Sequence, residues 1–299
     1  TLGVSAIAVH PDNPDIIYFG TGDRDAYNTS GKGIYKSIDG GQTWVAKPFS
    51  IHYNKVVCKI LFHPVNHERL VAACNTGIYV TTDGGNNWTR KLDVGIRDMD
   101  QKPGDSTLYA VDGSSFYKST DFGQTWTMTR STLAHRMAIG TTPDNPEKVI
   151  LFTSRDSKFF RIYESTNSGD NFTIKDATGI SENDGQGWYN LDVVIDPEDE
   201  NIMYSGMVSF YKSTDGGSTW TRQAGVYAAD QHIFEFSPQT HRLFIGNDAG
   251  IWFSDNGSDY TYSSNGLNIT EIYHMDVAAQ NASHIIIGNQ DAGTFVTTG

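Results

Sequence analysis

Cysteine is nearly absent: the 299 residues hold only Cys58 and Cys74. Two thiols build neither a disulfide framework nor a cysteine zinc centre. They lie in the apolar runs 56–60 and 70–74. If those runs are neighbouring antiparallel strands turning near residues 64–67, the thiols lie roughly opposite each other, as two buried thiols or one cross-strand disulfide. Basic residues are scarce too, 22 against 35 acidic ones, for a net charge of −13. A surface that negative repels phosphate backbones and argues against a nucleic-acid partner. No apolar run approaches about 18 residues, which excludes a membrane-spanning helix. No phosphate loop, dinucleotide fingerprint or Ser-His-Asp order appears. Neither a metal nor a cofactor is expected, since His63 and His67 flank a turn at Pro64 and two histidines do not complete a zinc site. The chain opens at Thr1 without an initiator Met or a signal-like stretch, so it is expected to be a processed or excised portion of a longer protein.

What is abundant is turn-forming and strand-forming: 30 Gly, 15 Tyr and 15 Phe, with charged residues at only 19%. Such a balance suits short strands and tight turns better than helices. An eight-residue phrase then recurs roughly every 40 residues, a period characteristic of repeat architectures. Ser37-Ile38-Asp39-Gly40-Gly41-Gln42-Thr43-Trp44 is its first copy, and Ser213-Thr214-Asp215-Gly216-Gly217-Ser218-Thr219-Trp220 a complete later one. The third positions fall at Asp39, Asp83, Asp121, Asn167, Asp215 and, in a degraded sixth copy, Asp255. A Pro follows an apolar strand at Pro11, Pro64, Pro103, Pro143, Pro197 and Pro238, in step with the phrase. Each unit thus reads as four short strands, A to D, with the phrase as the C–D turn. This is the blade of a β-propeller, and a blade with two apolar faces must stack against others.

The expected fold is all-β: one domain over residues 1–299, a propeller of about seven four-stranded blades. The seventh unit carries strands A to C but no D, which predicts an open last blade or completion by residues or chains outside this sequence. Within the phrase, the hydroxyl and carboxylate are expected to bond turn amides, glycine to accept positive φ, and the closing aromatic to pack inward.

These phrases resemble the Asp-box (bacterial neuraminidase repeat) propellers, along essentially the whole chain. The likeness is greatest to large secreted cell-surface proteins of Bacteroidetes-type bacteria with type IX sorting domains, on phrases such as Gly185-Gln186-Gly187-Trp188-Tyr189, Ala229-Asp230-Gln231-His232 and Gly288-Asn289-Gln290-Asp291-Ala292-Gly293. The sortilin luminal propeller, xyloglucan-cleaving endoglucanases, sialidases and a photosystem assembly factor are more distantly similar. The resemblance implies an extracellular or cell-surface location.

In a propeller the B–C and D–A segments share one face, away from the phrases, and there the candidate site is sought. Asp23, Asp25 and Tyr27 occupy the longest B–C loop, Asn247 and Gln290 two others; Trp188, Tyr189, Asp230 and His232 fall in D–A segments. Carboxylates, amides, imidazoles and aromatics on one rim suit a hydroxyl-rich glycan, or a protein ligand, with ordinary loop polarity as the alternative. Asp248 and Asp291 precede Ala-Gly at equivalent positions of two units. They resemble the catalytic-acid loop of xyloglucan-cleaving endoglucanases, which makes them candidates for an inverting glycosidase. The primary reading is a binding or scaffold module; the competing one is that hydrolase.

Overall fold

The computed structural model describes residues 3–24, 31–49, 55–226 and 229–264 in full and, beyond them, the strands Ile272–Val277, His284–Asn289 and Gly293–Thr298. Every sheet is an antiparallel meander. Six of them are four-stranded blades, spanning residues 4–47, 57–92, 98–131, 136–175, 192–222 and 231–262. Together they form a six-bladed β-propeller. The last sheet has three strands, Ile272–Val277, His284–Asn289 and Gly293–Thr298. The expectation of about seven four-stranded blades is therefore corrected to six, because the seventh repeat supplies no fourth strand among the described residues. Val4–His10 pairs with Asn13–Thr21 as strand A of the first blade and is not given to another sheet.

Packing follows the strand period of two, with alternate side chains facing the neighbouring blade on either side. Tyr18 and Ile34 of the first blade meet Val57, Ile60, Leu70 and Cys74 of the second. The same layering continues between the fourth and fifth blades, where Ile150, Phe152 and Ile162 meet Val193, Met203 and Tyr211. Ile162 of the strand Lys158–Ser165 belongs to this core. Both cysteines are free thiols. The register shifts between Val57 and Lys59, so Val57 faces Cys74 while the Cys58 thiol donates at 3.1 Å to the carbonyl of Ile96, in the connection to the third blade.

The recurrent turn has one hydrogen-bond plan. Ser37 Oγ donates to Asp39 Oδ1 (2.7 Å) and accepts from Gly41 N (2.8 Å), while Asp39 Oδ1 accepts from Thr43 N (2.9 Å). Thr81–Asp83, Ser119–Asp121, Ser165–Asn167 and Ser213–Asp215 repeat it. The fifth position is Gly each time, with φ between 79° and 91°, a backbone region that side chains with a Cβ resist. Donors converging on the carboxylate stabilise its charged form. The Asp39, Asp83 and Asp215 carboxyls are held down at about 2, chiefly by Thr43, Asn87 and Thr219 respectively. The sixth copy is one residue shorter. Asn256, not Asp255, accepts from Ser254 Oγ and Asp259 N, and Asp255 instead pairs with Arg242 at 2.6 Å.

The first five turns also tie to the A–B side of their own blades, as in Gly40 N to Asp15 O, Gly84 N to Glu68 O and Gly216 N to Asn201 O. Both turn types therefore share one face, and the B–C and D–A segments are left on the other.

Candidate functional site

Two features occupy the loop-rich end of the propeller and the axis beneath it. The first is a rim site built on the connection between the fourth and fifth blades. Residues 186–190 form a turn in which Tyr189 N and Asn190 N both donate to Gln186 O (2.7 and 3.0 Å). Gly187 is required there, since a Cβ would lie 2.6 Å from the Ser154 Cβ. The close approach lets Gly187 N donate to Ser157 O and Ser154 Oγ to Gly187 O, and Arg136 fixes the Trp188 carbonyl at 3.1 Å. So anchored, Trp188 stands 52% exposed, its ring 5.3 Å from that of Tyr189. Tyr189 meets His232 edge-on at 5.3 Å, and His232 Nε2 lies 2.8 Å from Asp248 Oδ1. Asp230, at φ 63°, accepts from Gln186 Nε2 (3.0 Å) and Asn190 Nδ2 (3.2 Å). Burial and then the charge of Asp248 raise its carboxyl above the ordinary range.

A cavity of about 560 Å³ opens beside this cluster, lined by residues 3–7 of the first blade with Gly22, Asp23, Arg24, Tyr189, His232 and Ile233. Arg24 crosses from the first blade to the sixth, donating to the His232 carbonyl at 3.2 Å. Five expected residues from three blades or their connections, Asp23, Trp188, Tyr189, Asp230 and His232, thus lie at this rim, with Asp248 against His232. Asn247 does not join them. It is buried, donating to Gln231 Oε1 and accepting from Ala249 N inside its own sheet. Asp25, Tyr27, Gln290 and Asp291 lie outside the described residues, so the pairing of Asp248 with Asp291 does too.

The second feature, absent from the sequence-based candidates, is the axial channel. Its cavity of about 240 Å³ is lined by Arg24, Lys59, Asp98, Asp100, Asp192 and Glu235 among others. All but Arg24 project from innermost strands. The aspartates join neighbouring blades, Asp98 to Ile139 N (2.9 Å), Asp100 to Thr141 Oγ1 (2.7 Å) and Asp192 to Phe234 N (2.7 Å). Burial raises the Asp100 carboxyl to about 6 against the pull of Lys59. It raises Asp192 to about 7, reinforced by Asp98 and opposed by Arg24. Burial pulls the Lys59 ammonium down, but the charges of Asp98, Asp100, Glu235 and Asp192 outweigh it and the net shift is upward. The signal is present as polar residues at inward positions of strand A, yet only the packing of successive blades around one axis makes them neighbours.

With this geometry in place, the comparisons bear on the fold. No family model matches the chain, and no curated protein matches it. Solved structures do. A GH74 xyloglucanase from Xanthomonas campestris superimposes with a TM-score of 0.71 at 16% identity, over 98% of this chain and 52% of that one. YCF48 bound to D1 peptide gives 0.65 at 14% identity, over 100% and 94%. YCF48 from Cyanidioschyzon merolae gives 0.62 at 12%, over 99% and 95%. The chain thus spans about half the length of the xyloglucanase. Likeness at such identities establishes the β-propeller fold.

Among the described residues one group has metal-ligand composition: His10, Asp12 and His67, whose ligand atoms lie within 4.8 Å of one another on the opposite face. His67 Nδ1 is 3.1 Å from Asp12, and His10 Nδ1 accepts the Asp12 amide. That bond leaves the ring proton of neutral His10 on Nε2, making this side a donor rather than a ligand. No helix among the described residues is long and apolar enough to cross a membrane.

Proposed function

We propose that this protein is a glycan-binding module and that the rim at Trp188 is its binding face. One observation carries the reading: a half-exposed indole, rigidly backed, stands beside Tyr189, His232 and Asp248 at a cavity large enough for a sugar unit. Aromatic faces stack on the C–H face of sugar rings, and the flanking carboxylates, amides and imidazole match hydroxyl donors and acceptors. In the same reading the recurrent turns are Asp boxes, and the domain serves outside the cell as part of a larger surface protein.

Stacking then dominates affinity. Trp188→Ala is expected to weaken binding to an oligosaccharide about tenfold or more, and Asp248→Asn only slightly, in titration calorimetry. The reverse order removes the reading.

A second reading is favoured by one feature, the raised Asp230 carboxyl close to the Asp248 charge. A carboxyl held protonated beside a second acid is what an inverting glycosidase uses as its general acid. It predicts reducing ends released from a plant or algal polysaccharide. Asp230→Asn or Asp248→Asn would then keep binding and lower turnover by roughly three orders of magnitude or more. Wild-type protein that releases none excludes it.

A further inference from the structure

The structure assigns the rim an anionic glycan, one bearing carboxylate or sulfate groups, with the B–C hairpin of the fourth blade as the element that reads its charge. This rests on the glycan-binding reading above and adds the chemical class.

The hairpin joins Val149–Arg155 to Lys158–Ser165 through Asp156 and Ser157, whose φ values of 50° and 69° are those a tight two-residue hairpin turn demands. The turn makes Arg155 and Lys158 direct cross-strand partners. Like charges placed opposite each other destabilise a hairpin, and the one acid of the turn, Asp156, stands against two cations there. Both residues are exposed, as is Arg161 further along the strand. The guanidinium groups of Arg155 and Arg161 both lie over the Phe160 ring, 5.6 and 5.0 Å from its centroid, which holds them at the surface. Asp156 is the sole acid in residues 155–161. It lies 3.6 Å from Arg155 Nε and 3.5 Å from His135 Nδ1. A local excess of cations therefore stands on a chain whose net charge is −13.

This hairpin is also the one that holds the aromatic ledge. Gly187 N donates to Ser157 O at 2.9 Å, and Ser154 Oγ donates to Gly187 O at 2.7 Å, so Trp188 and the cationic tip form one rigid unit. A sugar chain bound at Trp188 lies one residue from the backbone bond that ties the ledge to this tip. Arginine binds planar carboxylate, and sulfate as well, through paired N–H groups. The overall negative charge repels polyanions elsewhere, which confines such binding to this patch.

The test uses the full chain and four probes: polygalacturonate oligosaccharides, sulfated galactan oligosaccharides, neutral xyloglucan oligosaccharides and poly-glutamate. At least one anionic oligosaccharide should bind about tenfold or more tightly than the neutral one, and more weakly as salt rises. The two anionic arms separate carboxylate from sulfate. Arg155→Gln/Lys158→Gln, at an exposed hairpin tip, should lower that affinity about tenfold and change neutral binding less than about twofold. Trp188→Ala should lower both. Neutral binding equal to or tighter than anionic overturns the inference and leaves the glycan reading standing. Poly-glutamate binding as tight as the anionic sugar overturns it in favour of an acidic protein. No binding to any oligosaccharide removes the glycan reading itself.

Discussion

Trp220→Ala is expected to lower the stability of the protein by about 3–5 kcal/mol, while Trp44→Ala at the equivalent turn costs about 1 kcal/mol or less. Trp220 is 3% exposed, packs edge-on to Phe152 of the preceding blade at 5.5 Å, and donates its indole N–H to Gly217 O at 2.9 Å. The two sheets that enclose it are each fixed by four strands and collapse little, so truncation leaves a cavity and an unpaired carbonyl. Trp44 is 37% exposed because no blade precedes the first among the described residues; it leans on Phe19 of its own sheet. Urea denaturation of both variants decides the point. Equal losses, or a loss under about 2 kcal/mol at Trp220, would show that the closing aromatic does not seal the blade interface. Under the proposed glycan-binding function, the affinity of folded Trp220→Ala should stay near the wild-type value, since the turn lies on the face opposite Trp188.

Stability should fall by about 2–4 kcal/mol between pH 5 and pH 8, because the axial carboxyls resist ionisation. Asp192 titrates at about 7 and Asp100 at about 6 in the fold, against an ordinary aspartate value of 3.8 for both. Between those values the native state holds protons that the unfolded chain has released, so unfolding free energy decreases as pH rises through the window. The turn aspartates have the opposite sign. With carboxyls at about 2, Asp39, Asp83 and Asp215 lose their stabilising bonds only as pH falls below the ordinary aspartate range. Stability is therefore greatest at mildly acidic pH. Asp192→Asn should flatten the slope between pH 5 and 8, as the amide oxygen still accepts from Phe234 N. Lys59→Met should steepen it, since four carboxylates then face one another without their central cation. Chemical denaturation across pH checks both, and a wild-type protein equally or more stable at pH 8 than at pH 5 contradicts the account.

The hydrolase candidates illustrate where sequence reading succeeds and stops. Asp248 was singled out by its loop position, and its position is now given by a bond to His232, a partner 16 residues away on another strand. Asn247, its neighbour, faces inward because strand residues alternate, and a loop assignment that begins one residue early cannot see that. Nothing in the local sequence of Gln186 and Asn190 announces that they converge on Asp230 from a different connection.

Local chemistry was sufficient for the blades. Period-two alternation, the Pro after strand A and the Ser/Thr-x-Asp-x-Gly turn are all satisfied within about forty residues, so the sequence alone determined the four-stranded unit, the bonding of its turn and the face each loop occupies. Even there it misplaced the sixth turn, because Asp255 and Asn256 offer equivalent oxygens and only the shortened Gly257 contact selects the second. The number of four-stranded blades, the exposure of Trp44, the meeting of Lys59 with four carboxylates and the union of Trp188 with the Arg155–Lys158 hairpin were decided by the tertiary structure. Each depends on residues of different blades, and the distance between two blades is set by how many sheets pack around the axis, a property that no single repeat encodes.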